Sequence, residues 1–216
     1  MAYTAAVITI SDKGAAGLRE DTSGPAICEK LEERGWSVTH RSTVPDEPLQ
    51  IRTELVRCAD ELCVNLVLTS GGTGFSKRDV TPEATLEVVE RRTPGIPEAM
   101  RAESMRITPR GMLSRQEAGI RGDTLIVNLP GSKKAALECF NAIADSVQHG
   151  VDMLLGTAAE CASRGRVISV CGGEKSRAVE RGEQVSLVGQ DSVFQGADTA
   201  VAIGDLPLGD LPRGAR

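Results

Sequence analysis

Aromatic residues are scarce in this sequence, and basic residues do not outnumber acidic ones. Phe, Trp and Tyr make up only 2% of the 216 residues, while hydrophobic residues make up 40%. A packed core must therefore consist mainly of Val, Leu, Ile and Ala. The net charge of -5 argues against a nucleic acid or an anionic membrane surface as partner, although it leaves room for a local basic pocket.

Long apolar runs, a basic leader and clustered cysteines are also missing. No apolar run approaches the roughly 18 residues of a membrane span, and MAYTAAVITISDKG has no basic residue ahead of its apolar part. The six cysteines form no C-x-x-C pair, and the two histidines lie far from any cysteine-rich cluster. We therefore expect buried, reduced thiols rather than a thiolate zinc site, in a soluble cytoplasmic protein.

Short apolar runs alternate with helix-like stretches along the first three quarters of the chain. Four segments are typical of strands, at residues 5–10, 36–44, 63–70 and 124–131. Helical spacing recurs between and after them, at about 25–34, 49–62, 82–92, 97–106 and 133–148, with a further helix to about 163. This order predicts an α/β fold, a three-layer sandwich whose mostly parallel sheet is covered by helices on both faces.

The composition changes near residue 165. Glycine becomes frequent, RVISV and EQVSLVG resemble short strands, and the end IGDLPLGDLPRGAR is rich in turn residues. We predict a domain over residues 1–164 and a C-terminal β- and turn-rich extension of unknown role over residues 165–216.

Polar, glycine-rich loops follow the predicted strands, after Ile10, Val44, Leu68 and Leu129. In a parallel sheet, ligands bind beyond the carboxyl ends of the strands. We expect these four loops to meet at one edge of the sheet and form one site.

The loop after the third of these strands, LTSGGTGFSKRDVTPEAT, contains Gly71, Gly72, Thr73 and Gly74. Such a turn can adopt positive φ angles and point main-chain N–H groups at an anion. It is neither a Walker A loop nor G-x-G-x-x-G, because no Gly-Lys-Ser/Thr follows and Lys77 occupies the third glycine position. A plain strand-to-helix connection is the alternative to a phosphate site.

Four further polar residues each allow two interpretations. Asp79 either holds Mg²⁺ through its carboxylate or has a local capping or Asx-turn role before the next helix, and Asp46 is either a site residue or an ordinary turn aspartate. Ser114 contacts a ligand or caps a helix that follows it. Asn128 lies inside a predicted buried strand, where its amide bonds either to the fold or to a ligand.

Taken together, four segments resemble the molybdopterin adenylyltransferase family, which includes bacterial enzymes and the G domains of gephyrin and its plant relatives. They are ITISDKGAAGLREDTSGP, the glycine loop, RRTPGIPEAMR and ITPRGMLSRQEAGIRGDTLIVNLPGS, in the family's order. The resemblance runs from about Thr4 to Ser163. It implies a homotrimer that uses Mg²⁺ and ATP to adenylylate molybdopterin, releases pyrophosphate and hands its product to a molybdate-insertion protein.

The resemblance also assigns roles to residues of this chain. It implies catalytic roles for Asp46 and Asp79, with the metal on Asp79, and nucleotide-phosphate binding by the glycine turn. It implies pterin binding by Ser114, Asn128, Pro130 and Gly131. No protein nucleophile is needed, because a phosphate oxygen of the pterin attacks the α-phosphorus.

Two relatives with the same fold remain as alternatives. One is a non-catalytic pterin-binding or scaffold protein, and the other is a molybdate-insertion domain. Both aspartates are present, which favours the enzyme, and SKRDVTPEAT and MLSRQEAGIRG match the adenylylating branch better than the insertion branch.

Overall fold

A computed structural model describes residues 3–156 of the chain. The strands are β1 (Thr4–Ile10), β2 (Ser37–Val44), β3 (Leu66–Ser70), β4 (Arg91–Arg92), β5 (Ala118–Arg121) and β6 (Thr124–Leu129). The α-helices are α1 (Asp12–Ala15), α2 (Ser23–Glu32), α3 (Pro48–Val56), α4 (Thr81–Val88), α5 (Gly95–Ile107) and α6 (Lys133–Leu154). A π-helical turn (Arg57–Glu61) continues α3, and a 3₁₀ helix (Pro109–Leu113) follows α5.

The six strands form one mixed sheet in the order β2-β1-β3-β6-β5-β4. Strands β2, β1, β3 and β6 are parallel, whereas β5 and β4 extend the sheet in antiparallel pairing. The β3–β6 register pairs Ser70 with Leu129, so these two strands end side by side. The carboxyl ends of all four parallel strands therefore share one edge of the sheet.

Alternate residues of the strands pack on opposite faces of the sheet, as a pleated strand requires. One core cluster joins Val7, Leu68 and Val127 to buried residues of α2, α5 and α6. The other joins Ile8 and Val67 to buried residues of α3 and α4. The structure thus confirms the predicted three-layer α/β sandwich with its largely aliphatic core.

Several local predictions need correction. The predicted helix over 82–92 ends at Val88, and Arg91–Arg92 form strand β4. Strand β5 was missed, because AGIR is too short to show an alternating pattern. The helix that begins at Lys133 continues unbroken past residue 148 to Leu154. The extension predicted for residues 165–216 lies outside the described residues, as does most of the helix predicted to reach residue 163.

No helix among residues 3–156 is long and apolar enough to cross a membrane. Cys28, Cys58 and Cys139 are free thiols, and the latter two are buried.

Candidate functional site

The loops after β1, β2, β3 and β6 line one cavity of about 350 Å³, which confirms that they meet at one edge. We call it the first cavity. Its wall includes Ser11, Asp46, Gly71, Gly72, Asp79 and Gly131, together with Arg19, Glu20, Asp21, Thr22 and Ser23 from the segment that leads into α2.

The glycine turn is packed so tightly that side chains are excluded at two positions. Gly71 has a φ of 117°, and a Cβ there would lie 2.2 Å from the carbonyl oxygen of Ile10. Gly72 has a φ of 62°, and its Cβ would lie 2.2 Å from the Thr81 hydroxyl. That hydroxyl donates to the Gly71 carbonyl at 3.0 Å, so the first residue of α4 fastens the turn.

Main-chain donors of this turn are available to a ligand. The Gly71 N–H donates to the Leu129 carbonyl at 3.2 Å. Within residues 3–156, the N–H groups of Gly72, Thr73 and Gly74 donate to no protein acceptor. Three such donors in succession, next to a cavity, suit an anion.

The two predicted aspartates lie on either side of the turn. A Cβ on Gly72 would lie 3.1 Å from Asp46 Oδ1, and a Cβ on Gly74 would lie 2.9 Å from Asp79 Oδ2. Asp79 does not cap α4. Its carboxylate accepts from the Ser76 N–H at 2.8 Å, and Val80 occupies the cap position. Both carboxylates line the first cavity.

Asp46 is bonded to Asp12 in the loop after β1. The Asp12 N–H donates to Asp46 Oδ2 at 2.9 Å, and the Asp46 N–H donates to Asp12 Oδ1 at 3.0 Å. The Arg78 guanidinium donates to both oxygens of Asp12, at 3.0 and 2.9 Å, and pairs with Glu47 at 2.8 Å. Loops that follow three different strands are thereby tied together.

The electrostatics of this cluster differ from one carboxylate to the next. The hydrogen bond from Arg78, helped by the main-chain N–H of Asp46, lowers the pKa of Asp12 below 3.8. Burial raises the pKa of Asp46 above 3.8, and the charges of Asp12 and Asp79 add to the rise, against the Asp12 N–H and Arg78. Burial and the two neighbouring carboxylates therefore all disfavour the charged form of Asp46.

A second cavity of about 280 Å³ lies on the other side of the glycine turn. Thr73, Gly74, Ser114 and Pro130 contribute to its wall, which also contains Ser104, Ile107, Thr108, Arg110, Gly111, Leu113, Gln116, Ala135 and Glu138. Thus the structure divides the glycine turn between the two cavities, and it divides the NLPG turn likewise, with Pro130 in the second and Gly131 in the first.

Ser114 does not begin a helix. It ends the 3₁₀ helix, and strand β5 follows at Ala118. Its hydroxyl donates to the side-chain oxygen of the fully buried Gln116 at 2.6 Å. The helix-cap interpretation of Ser114 is therefore wrong.

Asn128 is fully buried, and the fold uses its amide. The amide NH₂ donates to the hydroxyls of Thr69 and Thr85 at 3.0 and 2.9 Å, and its oxygen accepts from the Glu117 N–H at 3.3 Å. These bonds link β6 to β3, to α4 and to the segment before β5, just ahead of the NLPG turn. This geometry favours the internal hydrogen bond over direct ligand contact.

Sequence reasoning missed three residues of the site region. The sequence predicts no role in the site for Asp12, although Asp12 closely follows a buried strand, which is the signal that singled out the other loops. Asp21 was not considered. Its carboxylate accepts from the Thr9 hydroxyl at 2.8 Å and from the N–H of Gly24, in the first turn of α2, at 2.9 Å. Arg115 bonds to the glycine turn, and no spacing in the sequence indicates this.

Away from the cavities, His40, Glu54 and Cys58 form a cluster whose nitrogen, oxygen and sulfur atoms lie within 4.8 Å of one another. His40 Nε2 and Glu54 Oε1 are 2.6 Å apart. Burial, with a contribution from Glu54, raises the pKa of the Cys58 thiol to about 12. The sequence distance between histidines and cysteines did not indicate this proximity.

The fold and the site define a class: an α/β domain with a tightly packed glycine turn and two neighbouring aspartates at the carboxyl edge of its sheet. The family model described as "Probable molybdopterin binding domain" matches residues 6–149, and the chain belongs to that family.

Named relatives agree with this assignment. A molybdopterin adenylyltransferase of Helicobacter pylori strain J99 is 43% identical over 152 residues, covering 69% of this chain and 86% of the relative. The molybdopterin adenylyltransferase of Escherichia coli K12 is 40% identical over 151 residues, covering 67% and 77%. The crystal structure of the molybdopterin biosynthesis enzyme MoaB from Thermus thermophilus superposes with a TM-score of 0.68 at 44% identity, covering 71% of this chain and 97% of that one.

Proposed function

We propose that this protein is a molybdopterin adenylyltransferase of molybdenum cofactor biosynthesis. It transfers the adenylyl group of ATP to the terminal phosphate of molybdopterin, and pyrophosphate leaves. The observation that carries the proposal is the glycine turn, which stands between two cavities with Asp46 and Asp79 beside it. The names of the relatives at about 40% identity support the same reaction.

The two cavities suit the two substrates. We assign the triphosphate of ATP to the first cavity, beside Gly71 and Gly72, and the pterin to the second, beside Ser114 and Pro130. Thr73 and Gly74 face the second cavity, so the turn lies where the two phosphate ends must meet. Asn128 acts on the pterin side through its hydrogen bonds, which hold the NLPG turn that contributes Pro130 and Gly131.

The residues present fit Mg²⁺, which prefers oxygen ligands. Asp46 and Asp79 offer carboxylate oxygens at the first cavity, and the raised pKa of Asp46 marks a position where a cation is favourable. We assign the metal contact to Asp79, with Asp46 as the second catalytic carboxylate. Bound there, Mg²⁺ supplies charge neutralisation for the triphosphate.

The chain itself supplies binding and orientation. The N–H groups of Gly72, Thr73 and Gly74 donate to phosphate oxygens, and the packed turn keeps them aimed without reorganisation. Neither cavity wall, as described over residues 3–156, contains a histidine or a cysteine. The mechanism needs none, because the pterin phosphate oxygen forms the new bond to the α-phosphorus as the bond to pyrophosphate breaks.

One experiment tests the reaction directly. Purified protein is incubated with molybdopterin, Mg²⁺ and ATP labelled in the α-phosphate, and the products are separated. We expect label in adenylylated molybdopterin and release of pyrophosphate in equal amount. If label enters the pterin only when another adenylylating enzyme is added, the protein is a pterin-binding or scaffold relative instead.

Membership of this family also suggests the assembly, location and partner of the enzyme. We propose a homotrimer in the cytoplasm that passes its product to a molybdate-insertion protein. Sedimentation of the purified chain measures the first of these properties: a mass near that of one or two chains contradicts the trimer.

A further inference from the structure

Arg115 connects a segment that lines the second cavity to the glycine turn and to Asp79, which lines the first cavity. Its neighbours Ser114 and Gln116 contribute to the second cavity. The Arg115 side chain, two-thirds buried, extends back to the stretch from the glycine turn to Asp79.

Three carbonyl oxygens of that stretch accept hydrogen bonds from Arg115. Its main-chain N–H donates to the Thr73 carbonyl at 3.0 Å. Its Nε donates to the Gly74 carbonyl at 2.7 Å, and a terminal guanidinium nitrogen donates to the Asp79 carbonyl. The other terminal nitrogen pairs with Glu83 on α4. The guanidinium thus bridges both ends of the segment from Gly74 to Asp79.

A guanidinium is suited to this bridge, since its donors lie in one plane at fixed angles and it stays charged. A lysine has a single ammonium group on a flexible chain, and it cannot hold two carbonyls in the same fixed relation. The segment between the two carbonyls is exposed from Phe75 to Arg78, so it has little packing of its own.

We propose that Arg115 is a positioning residue: it holds Gly74 and Asp79 in place and thereby sets the position of the Asp79 carboxylate at the first cavity. This inference rests on the proposed function, in which Asp79 holds the metal of the triphosphate. The segment that contains Arg115 also lines the second cavity, through Ser114 and Gln116. The main chain of Arg115 therefore also fixes the position of the Asp79 segment relative to the proposed pterin site.

The test uses the full-length chain and compares Arg115→Lys with two controls. Glu83→Ala removes the ion pair of Arg115 but leaves its bonds to carbonyls. Arg121→Lys alters a similar arrangement, a guanidinium bonded to Asp60 and to the Val88 carbonyl, near the opposite edge of the sheet. Arg115→Gln is the second test variant, in case the Arg115→Lys protein does not fold.

Two readouts separate positioning from a general structural role. Amide hydrogen exchange is followed at Ser76, Asp79 and Thr81, whose N–H groups are bonded within or beside the segment. We expect roughly tenfold faster exchange in Arg115→Lys and no change in either control. For turnover, we expect roughly a tenfold fall in kcat and a rise in the Mg²⁺ concentration for half-maximal rate, with a smaller change in the KM for molybdopterin.

Unchanged exchange in both Arg115 variants overturns the proposal, and so does faster exchange with unchanged kcat and Mg²⁺ dependence. A wild-type chain that transfers no adenylyl group contradicts the proposed function instead. In that event amide exchange still tests whether Arg115 holds the segment, and calorimetry of Mg²⁺ and ATP binding replaces the turnover measurement. Weaker binding to Arg115→Lys than to the wild type supports the positioning role, and equal binding overturns it.

Discussion

The Asp46 carboxylate lies close to Gly72: a Cβ on Gly72 would lie 3.1 Å from Asp46 Oδ1. The absence of a side chain at this position therefore serves two purposes. It allows the positive φ of the turn, and it lets the loop after β2 bring its carboxylate against the loop after β3. The carboxylate and the main chain of the glycine turn are held together by packing that only glycine permits.

Gly72→Ala should consequently cost both stability and binding. The backbone strain alone is about 1 kcal/mol, and contact with the buried Thr81 adds roughly 2 kcal/mol or more. We expect the free energy of unfolding, measured by denaturant titration, to fall by the sum of these two contributions. The affinity for ATP should fall as well.

Gly122→Ala is the matched control. Gly122 has a φ of 53°, similar to that of Gly72, but a Cβ there would meet nothing within 4 Å. Only the strain of about 1 kcal/mol should appear, with ATP affinity unchanged. Equal losses of stability and affinity in the two variants would show that the close approach at Gly72 is unimportant.

Asp79→Asn is expected to lower turnover by two orders of magnitude or more, since a neutral amide is a poor Mg²⁺ ligand. Asp46→Asn should impair turnover as well while it largely keeps pterin binding. The control is Asp60→Asn, which removes a carboxylate paired with Arg121 near the opposite edge of the sheet. Near-normal rates in Asp79→Asn, measured with saturating Mg²⁺, contradict the metal assignment.

The parallel strands could be predicted because their signal is local. The segments VITI and LIVNL are buried on both faces and therefore nearly all apolar, and the edge strand β2 alternates as its exposure does. Strands β4 and β5 have two and four residues, too few for a period to appear. Strand β5 forms by pairing with β6, and β4 by pairing with β5, so both depend on tertiary contacts.

The candidate site was partly predictable for a related reason. Loops that follow parallel strands meet at one edge of the sheet, so the sequence could place Asp46 and the glycine turn at the same edge. The role of Arg115 could not, because its acceptors are carbonyl oxygens, which every residue type supplies, and only their positions in space distinguish them. The burial of Asn128 could be predicted, whereas its partners Thr69 and Thr85 could not.

Ser114→Ala should weaken pterin affinity more than ATP affinity, since Ser114 lines only the second cavity. The variant should also lose roughly 1–3 kcal/mol of stability, because the buried oxygen of Gln116 loses its donor. Direct binding and thermal unfolding measure the two effects. Ser146→Ala, an exposed position on α6, is the control for both. An equal loss of both affinities contradicts the pterin assignment.

The Glu54 carboxylate makes stability depend on pH. Burial opposes its ionisation, but the neighbouring Ser42 and His40 side chains outweigh that effect and lower the pKa of Glu54 below 4.5. The ionised group therefore stabilises the folded state above about pH 4.5, and this contribution disappears as pH falls through the lower folded value.

Glu54→Gln should thus be less stable than the wild type by roughly 1 kcal/mol at pH 7, with the difference vanishing in strong acid. Denaturant titrations at intervals of about one pH unit, from about pH 2 to about pH 8, measure this difference in the free energy of unfolding. Glu33→Gln, which alters an exposed pair with Lys30, should show little difference at any pH. A loss in Glu54→Gln that persists in acid would assign its role to packing instead.

A chain that ends after Arg164 should fold and keep adenylyl transfer. The described residues 3–156 supply two core clusters and line both cavities, and the family match ends at residue 149. The sequence beyond residue 164 is rich in glycine and other residue types that favour turns. It can therefore bury little apolar surface to offset the conformational entropy that folding would cost. We expect an intact circular dichroism spectrum, turnover within about twofold of the full chain and at most a modest fall in Tm. Aggregation of the shortened chain, or loss of pterin binding, would place the domain boundary further along the sequence and give the extension a part in the fold or the site.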